Sequence, residues 1–129
     1  ADAAFLGRRD DVLALTQKLL YSKNMAISTF ADFLENSKGF VTALLCVMQS
    51  YLRDILVYQK TRDDWLVVNQ DRIDDIRQAA DDFTSGAISN MIKVILETER
   101  RFIVAVNYRL TVERMLFCIL EEKNRWRKS

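Results

Sequence analysis

A chain of 129 residues is long enough for one domain and too short for two ordinary ones, and its formal net charge of +1 provides no global field to attract nucleic acid or a membrane. Half of its residues are hydrophobic, 29% are charged, proline is absent and glycine occurs three times, which argues against a turn-rich β domain and for an all-α one. Histidine is absent too, which removes the commonest general base, metal ligand and pH switch.

Residues 1–8 carry no strong signal and are expected to be the remnant of a linker, with the helical domain covering 9–127. A first helix is predicted from about Arg9 to Tyr21, with Val12, Leu15 and Leu19 on one face and Asp10 and Asp11 in its first turn, where the helix dipole favours acids. Ser22-Lys23-Asn24 breaks the pattern. A second helix follows over about Met25 to Glu35, with Ile27, Phe30, Phe33 and Leu34 as its apolar side. The third, about Lys38 to Lys60, is the longest, spanning roughly 35 Å. Its apolar residues fill more than one stripe, as in a helix packed on several sides. Arg53 and Asp54 interrupt it inside YLRDIL, either as a solvated edge or as a contact with a neighbouring helix or subunit.

Thr61 to Gln70 is the longest connection, and its apolar Trp65-Leu66-Val67-Val68 is expected to be partly tied down. Asp71 reads as an N-cap, with Asp74 as a capping-box partner for a fourth helix over about Arg72 to Phe83. Thr84-Ser85 caps a fifth, about Gly86 to Val106, and a sixth runs from about Tyr108 to Trp126. The expected fold is therefore all-α, a single bundle of five to six helices, with the third and fifth most buried.

The last two helices form a corner within RRFIVAVNYRLTVERMLFCILE, Arg100 to Glu121. Ile88, Met91, Ile92, Ile95, Phe102, Ile103 and Val106 make one apolar stripe, and Val112, Met115, Leu116, Ile119 and Leu120 make the next. Asn107 stands between them, suited both to a tight corner and to capping the new helix. Arg109 and Glu113 are four residues apart and so meet on one helix face.

No catalytic chemistry or cofactor is expected. There is no glycine-rich phosphate cradle, no zinc set and no histidine for a triad. Adjacent acids such as Asp63-Asp64 and Asp81-Asp82 diverge on a helix and read as solvated faces. Cys46 and Cys118 fall among apolar residues and read as buried thiols, with a disulfide left open. The apolar runs are short and broken, so no membrane span is expected. At the C-terminus Lys123, Arg125, Trp126, Arg127 and Lys128 invite two readings: a nucleic-acid contact, or cations placed by the helix dipole.

Three segments together resemble one family. AVNYRLTVERMLFCIL is similar to the pattern NVN-x-RL-x-LE followed by an apolar run in the clamp loader of bacterial DNA polymerase III. YLRDIL at Tyr51 to Leu56 and VNQDRIDDI at Val68 to Ile76 agree with it in order and spacing. The resemblance covers about Arg9 to Glu121 and is to the C-terminal collar domain of the delta-prime subunit. It departs at Ala105, where Asn is frequent before Val-Asn, and at Tyr108, where Pro is frequent. It implies a cytoplasmic oligomerisation domain in DNA replication, joined to an upstream AAA+ type region. Its partners would be the tau/gamma and delta subunits, with DNA and the sliding clamp contacted by other domains and no membrane involved. The chain itself would not be an enzyme, although its assembly is a DNA-directed DNA polymerase. Arg53, Asp54, Asn69, Asp71, Asn107, Arg109, Leu110 and Glu113 carry the motifs and are the candidate interface. The alternatives are the collar of the tau/gamma subunit and a stand-alone helical module that binds nucleic acid.

Overall fold

The computed structural model describes residues 3–22 and 27–126, the last two by backbone alone. Six α-helices follow in order: α1 (Ala3–Tyr21), α2 (Ile27–Asn36), α3 (Val41–Thr61), α4 (Ile73–Asp82), α5 (Ser85–Phe102) and α6 (Tyr108–Trp126). Short 3₁₀ turns occupy Lys38–Phe40, Asp64–Leu66 and Gln70–Arg72, and no strand occurs among the described residues. The domain is all-α.

Helix α3 is the axis. Leu44, Leu45, Met48, Tyr51, Leu52 and Ile55 are buried along it, against α1, α4 and α5. By length and composition Lys38–Thr61 is apolar enough to cross a membrane, contrary to the expectation of short, broken runs. Here that apolarity faces neighbouring helices on several sides, and the same helix buries Gln49 and Asp54. It stops at Arg62, whose backbone is left-handed (φ 53°) and whose N–H donates to the Tyr58 carbonyl at 2.9 Å. The Arg62 guanidinium lies 5.3 Å from the Tyr58 ring centre and pairs with Asp81 at 2.8 Å.

Three expected helix ends are corrected. Helix α1 begins at Ala3 rather than near Arg9, so Asp10 and Asp11 lie well past its first turn. Its early residues are held by packing: the Phe5 ring sits 6.2 Å from that of Phe40, and Arg8 reaches over Phe40 and donates to Ser37 Oγ at 3.2 Å. Helix α4 begins at Ile73, and the residue at its N-cap is Arg72, not Asp71. Helix α5 ends at Phe102 and does not reach Val106. Its N-terminus is as expected, with Thr84 Oγ1 accepting the Ala87 N–H at 3.1 Å.

Neither cysteine is buried: Cys46 is exposed, Cys118 is half-exposed, and both are free thiols. The expected break at Lys23 and Asn24 and the expected start at Met25 lie outside the described residues.

Candidate protein interface

The motif residues fall into two groups. The first is a hub beneath the α3–α4 connection. Asp54 is only 2% exposed, and Arg53 beside it is exposed. The Asp54 carboxylate accepts the backbone N–H groups of Val68 and Asn69, each at 2.9 Å, and the Asn69 side-chain amide at 2.7 Å. Asp54 is thus neither a solvated edge nor available to a neighbouring subunit; it is buried because it satisfies three donors of the connection. Asn69 in turn accepts from Arg9 at 2.8 Å and donates to Ser50 Oγ at 3.1 Å. Arg9 also pairs with Asp71 at 3.1 Å, which holds the Asp71 carboxyl below its ordinary range and raises the guanidinium. Asp71 therefore clasps α1 to the connection instead of capping α4. Above this hub Val67 is buried, while Leu66, Val68 and Trp65, the last 88% exposed, face solvent.

The second group is the α5–α6 corner. The Asn107 carboxamide oxygen accepts the Leu110 N–H at 2.9 Å and so caps α6. Phe102, the last residue of α5, stacks on Tyr108, the first of α6, with ring centres 5.2 Å apart. The Tyr108 hydroxyl donates to the Leu34 carbonyl at 2.9 Å, and burial pushes its pKa up to about 12, with Glu35 adding to the effect. Arg109 contacts Glu113 at 3.7 Å, but its shorter contacts are with Asp32 and Glu35 of α2, at 2.5 and 2.9 Å. These partners raise its pKa, and their placement ties α6 to α2.

Because α5 stops early, Ile103 and Val106 leave the expected stripe and stand 85% and 103% exposed. Val104, Leu110 and Phe117 are exposed with them. A groove of about 270 Å³ runs between α5 and α6, with Val94, Met115 and Cys118 among its apolar lining and Lys93, Arg101 and Arg114 among its cations. Two further hollows adjoin it, one containing Val104, Ala105 and Leu110 and the other Leu110 and Phe117, and Arg114 borders all three. Sequence reasoning missed Val104, Arg114 and Phe117. For Val104 the signal was an apolar run, Ile103 to Val106, in phase with a helix that does not extend that far.

The basic tail is reassigned in part. Lys123 is 4% exposed, and its ammonium donates to the Ser22 carbonyl at 2.8 Å, so it serves packing rather than a nucleic-acid surface. The side chains of Arg125 and Trp126, and Arg127 and Lys128 entirely, lie outside the described residues. Several members of the acidic pairs are held by internal partners: Asp64 by Arg77, Asp81 by Arg62, and Asp82 by the Tyr21 hydroxyl at 2.7 Å. Among the described residues no group of three or more His, Cys, Asp or Glu side chains is placed to hold a metal ion.

No curated protein and no solved structure matches the chain. The model of the family described as DNA polymerase III, delta subunit, C terminal, matches residues 4–121. That match takes in α1 to most of α6, including both the hub and the corner, and the chain belongs to this family.

Proposed function

We propose that this domain is the oligomerisation domain of a clamp-loader subunit of the delta-prime type, acting in DNA replication by holding its subunit among its neighbours. Family membership makes it a C-terminal domain of a clamp-loader subunit of DNA polymerase III. The observation that carries the oligomerisation reading is the exposed apolar surface of the corner: Ile103, Val104, Val106, Leu110 and Phe117. Contiguous exposed apolar surface rimmed by charges marks a protein interface. The delta-prime assignment rests on the NYRL corner with YLRDIL and VNQDRIDDI in order. On this reading the partners are the tau/gamma and delta subunits, and the chain contributes geometry rather than chemistry.

Co-expression with the tau/gamma and delta subunits of the same organism tests it. A single complex containing all three is expected on gel filtration, and Val106→Asp should remove the domain from it without unfolding it. A domain that displaces delta instead of joining it would belong to a delta subunit. A domain that elutes alone would not be an oligomerisation module.

A further inference from the structure

We infer that Arg114 is the anchor of the corner surface and that it receives a carboxylate from a partner helix. The inference rests on the oligomerisation reading above. Two of the arginines around the corner are already engaged. Arg101 is paired with Glu97 at 3.0 Å, and Arg109 is held by Asp32 and Glu35. Arg114 is exposed and has no hydrogen bond or ion pair among the described residues. It is also the one side chain shared by all three concavities described at the corner, where apolar side chains flank it: Val94 on one side, Val104 and Leu110 on another, Phe117 on a third. Of the carboxylates that line the same hollows, Glu97 is paired with Arg101 and Glu113 with Arg109, and Glu121 lies at the Phe117 side.

A partner that covers those apolar residues strips water from the guanidinium. Burying an unpaired charge is costly, so an occupant able to seat there must bring an anion of its own. A carboxylate suits the planar fork of arginine, which can bind both oxygens. The occupant that fits is therefore an amphipathic helix with Asp or Glu set within its apolar stripe. Nucleic acid fits less well: its phosphates repeat and call for a row of cations, whereas Arg114 is the one cation common to the three hollows, its neighbours there include Val104, Leu110 and Phe117, and the chain's net charge is only +1. An arginine central to an apolar patch is also where interface energy tends to concentrate.

The test measures binding of the whole chain to the full-length tau/gamma subunit. It compares wild type with Arg114→Met, Arg114→Lys and Phe117→Asp. All three substitutions lie on the surface, and unchanged thermal midpoints check that folding is intact. Arg114→Met keeps the apolar stem and removes the charge, so affinity should fall by roughly tenfold to a hundredfold. Arg114→Lys should recover most of it. Wild-type affinity for Arg114→Met, with binding abolished by Phe117→Asp, would overturn the anchor and leave the oligomerisation reading standing. No binding by wild type would overturn both. If Arg114→Met instead abolishes salt-sensitive retention of a single-stranded oligonucleotide, or concentration-dependent self-association in sedimentation, the ligand is a phosphate or a second copy, and the inference is wrong.

Discussion

Asp54 and Asn69 are fifteen residues apart in sequence and joined twice, through the Asn69 backbone N–H at 2.9 Å and its side-chain amide at 2.7 Å. Neither group is more than 3% exposed. The carboxylate of α3 thus sets the path of the connection that presents Trp65.

Asp54→Ala should therefore be costly although it removes a charge. Each buried donor left without its acceptor costs about 1–3 kcal/mol, and Asp54 serves two of them on Asn69 besides the part-buried Val68 N–H. Chemical denaturation should show the loss, and limited proteolysis should locate it to residues 63–70. A variant as stable as wild type would mean that water substitutes for the carboxylate.

At the corner, Asn107→Ala should destabilise the domain by ~0.5–2 kcal/mol, the usual value of an N-cap. Asn107→Asp keeps an acceptor for the Leu110 N–H and should cost much less. Equal losses in the two variants would point to the backbone of the corner instead of the cap.

Arg109→Ala and Glu113→Ala should now be told apart. Arg109 bridges to Asp32 and Glu35, whereas Glu113 touches Arg109 only at 3.7 Å. Loss of Arg109 should speed amide exchange in Ile27–Asn36 and reduce the salt dependence of the thermal midpoint. Glu113→Ala should leave α2 protected. Matching exchange profiles would refute the α2–α6 clamp.

The Arg9–Asp71 clasp sets a pH dependence. The Asp71 carboxyl is held below its ordinary value of 3.8 in the folded state by its hydrogen bonds with Arg9. Its stabilising effect is therefore present above that value and disappears as pH falls through the lowered one. Between about pH 5 and pH 2 the wild-type midpoint should fall more steeply than that of Asp71→Asn, and the gap between them should close at the acid end. Parallel acid limbs would show that the clasp is not formed in solution.

The helices were legible because periodicity reports burial directly, and the burial of Leu52 and Ile95 follows from it. The failures have a common cause. Ala3 to Gly7 lacks capping signals, yet it is helical because Phe5 and Arg8 pack on Phe40, a contact made across the fold. Ile103 and Val106 are in phase with α5, but the chain turns at Phe102, where stacking on Tyr108 closes the corner. Charged residues misled in the same way. Asp54 and Lys123 are buried because backbone donors and an acceptor from distant segments meet them, and nothing near either residue announces this. Arg114 was invisible for the converse reason: the exchange of its neighbours' charges with α2 and along α5 is what leaves it free.

The seam between α2 and α6 joins residues far apart along the chain: Tyr108 reaches Leu34 over 74 positions, and Arg109 reaches Asp32 over 77. The α5–α6 pair, by contrast, closes across a connection of a few residues. Loop-closure entropy rises with the length of chain enclosed, so the local hairpin should condense first and α2 should dock late. Substitutions at Tyr108 and Arg109 should then have φ-values near zero, hastening unfolding while barely slowing folding. The hairpin bearing Arg114 would accordingly take shape on the growing nucleus before the domain's other end has closed over it.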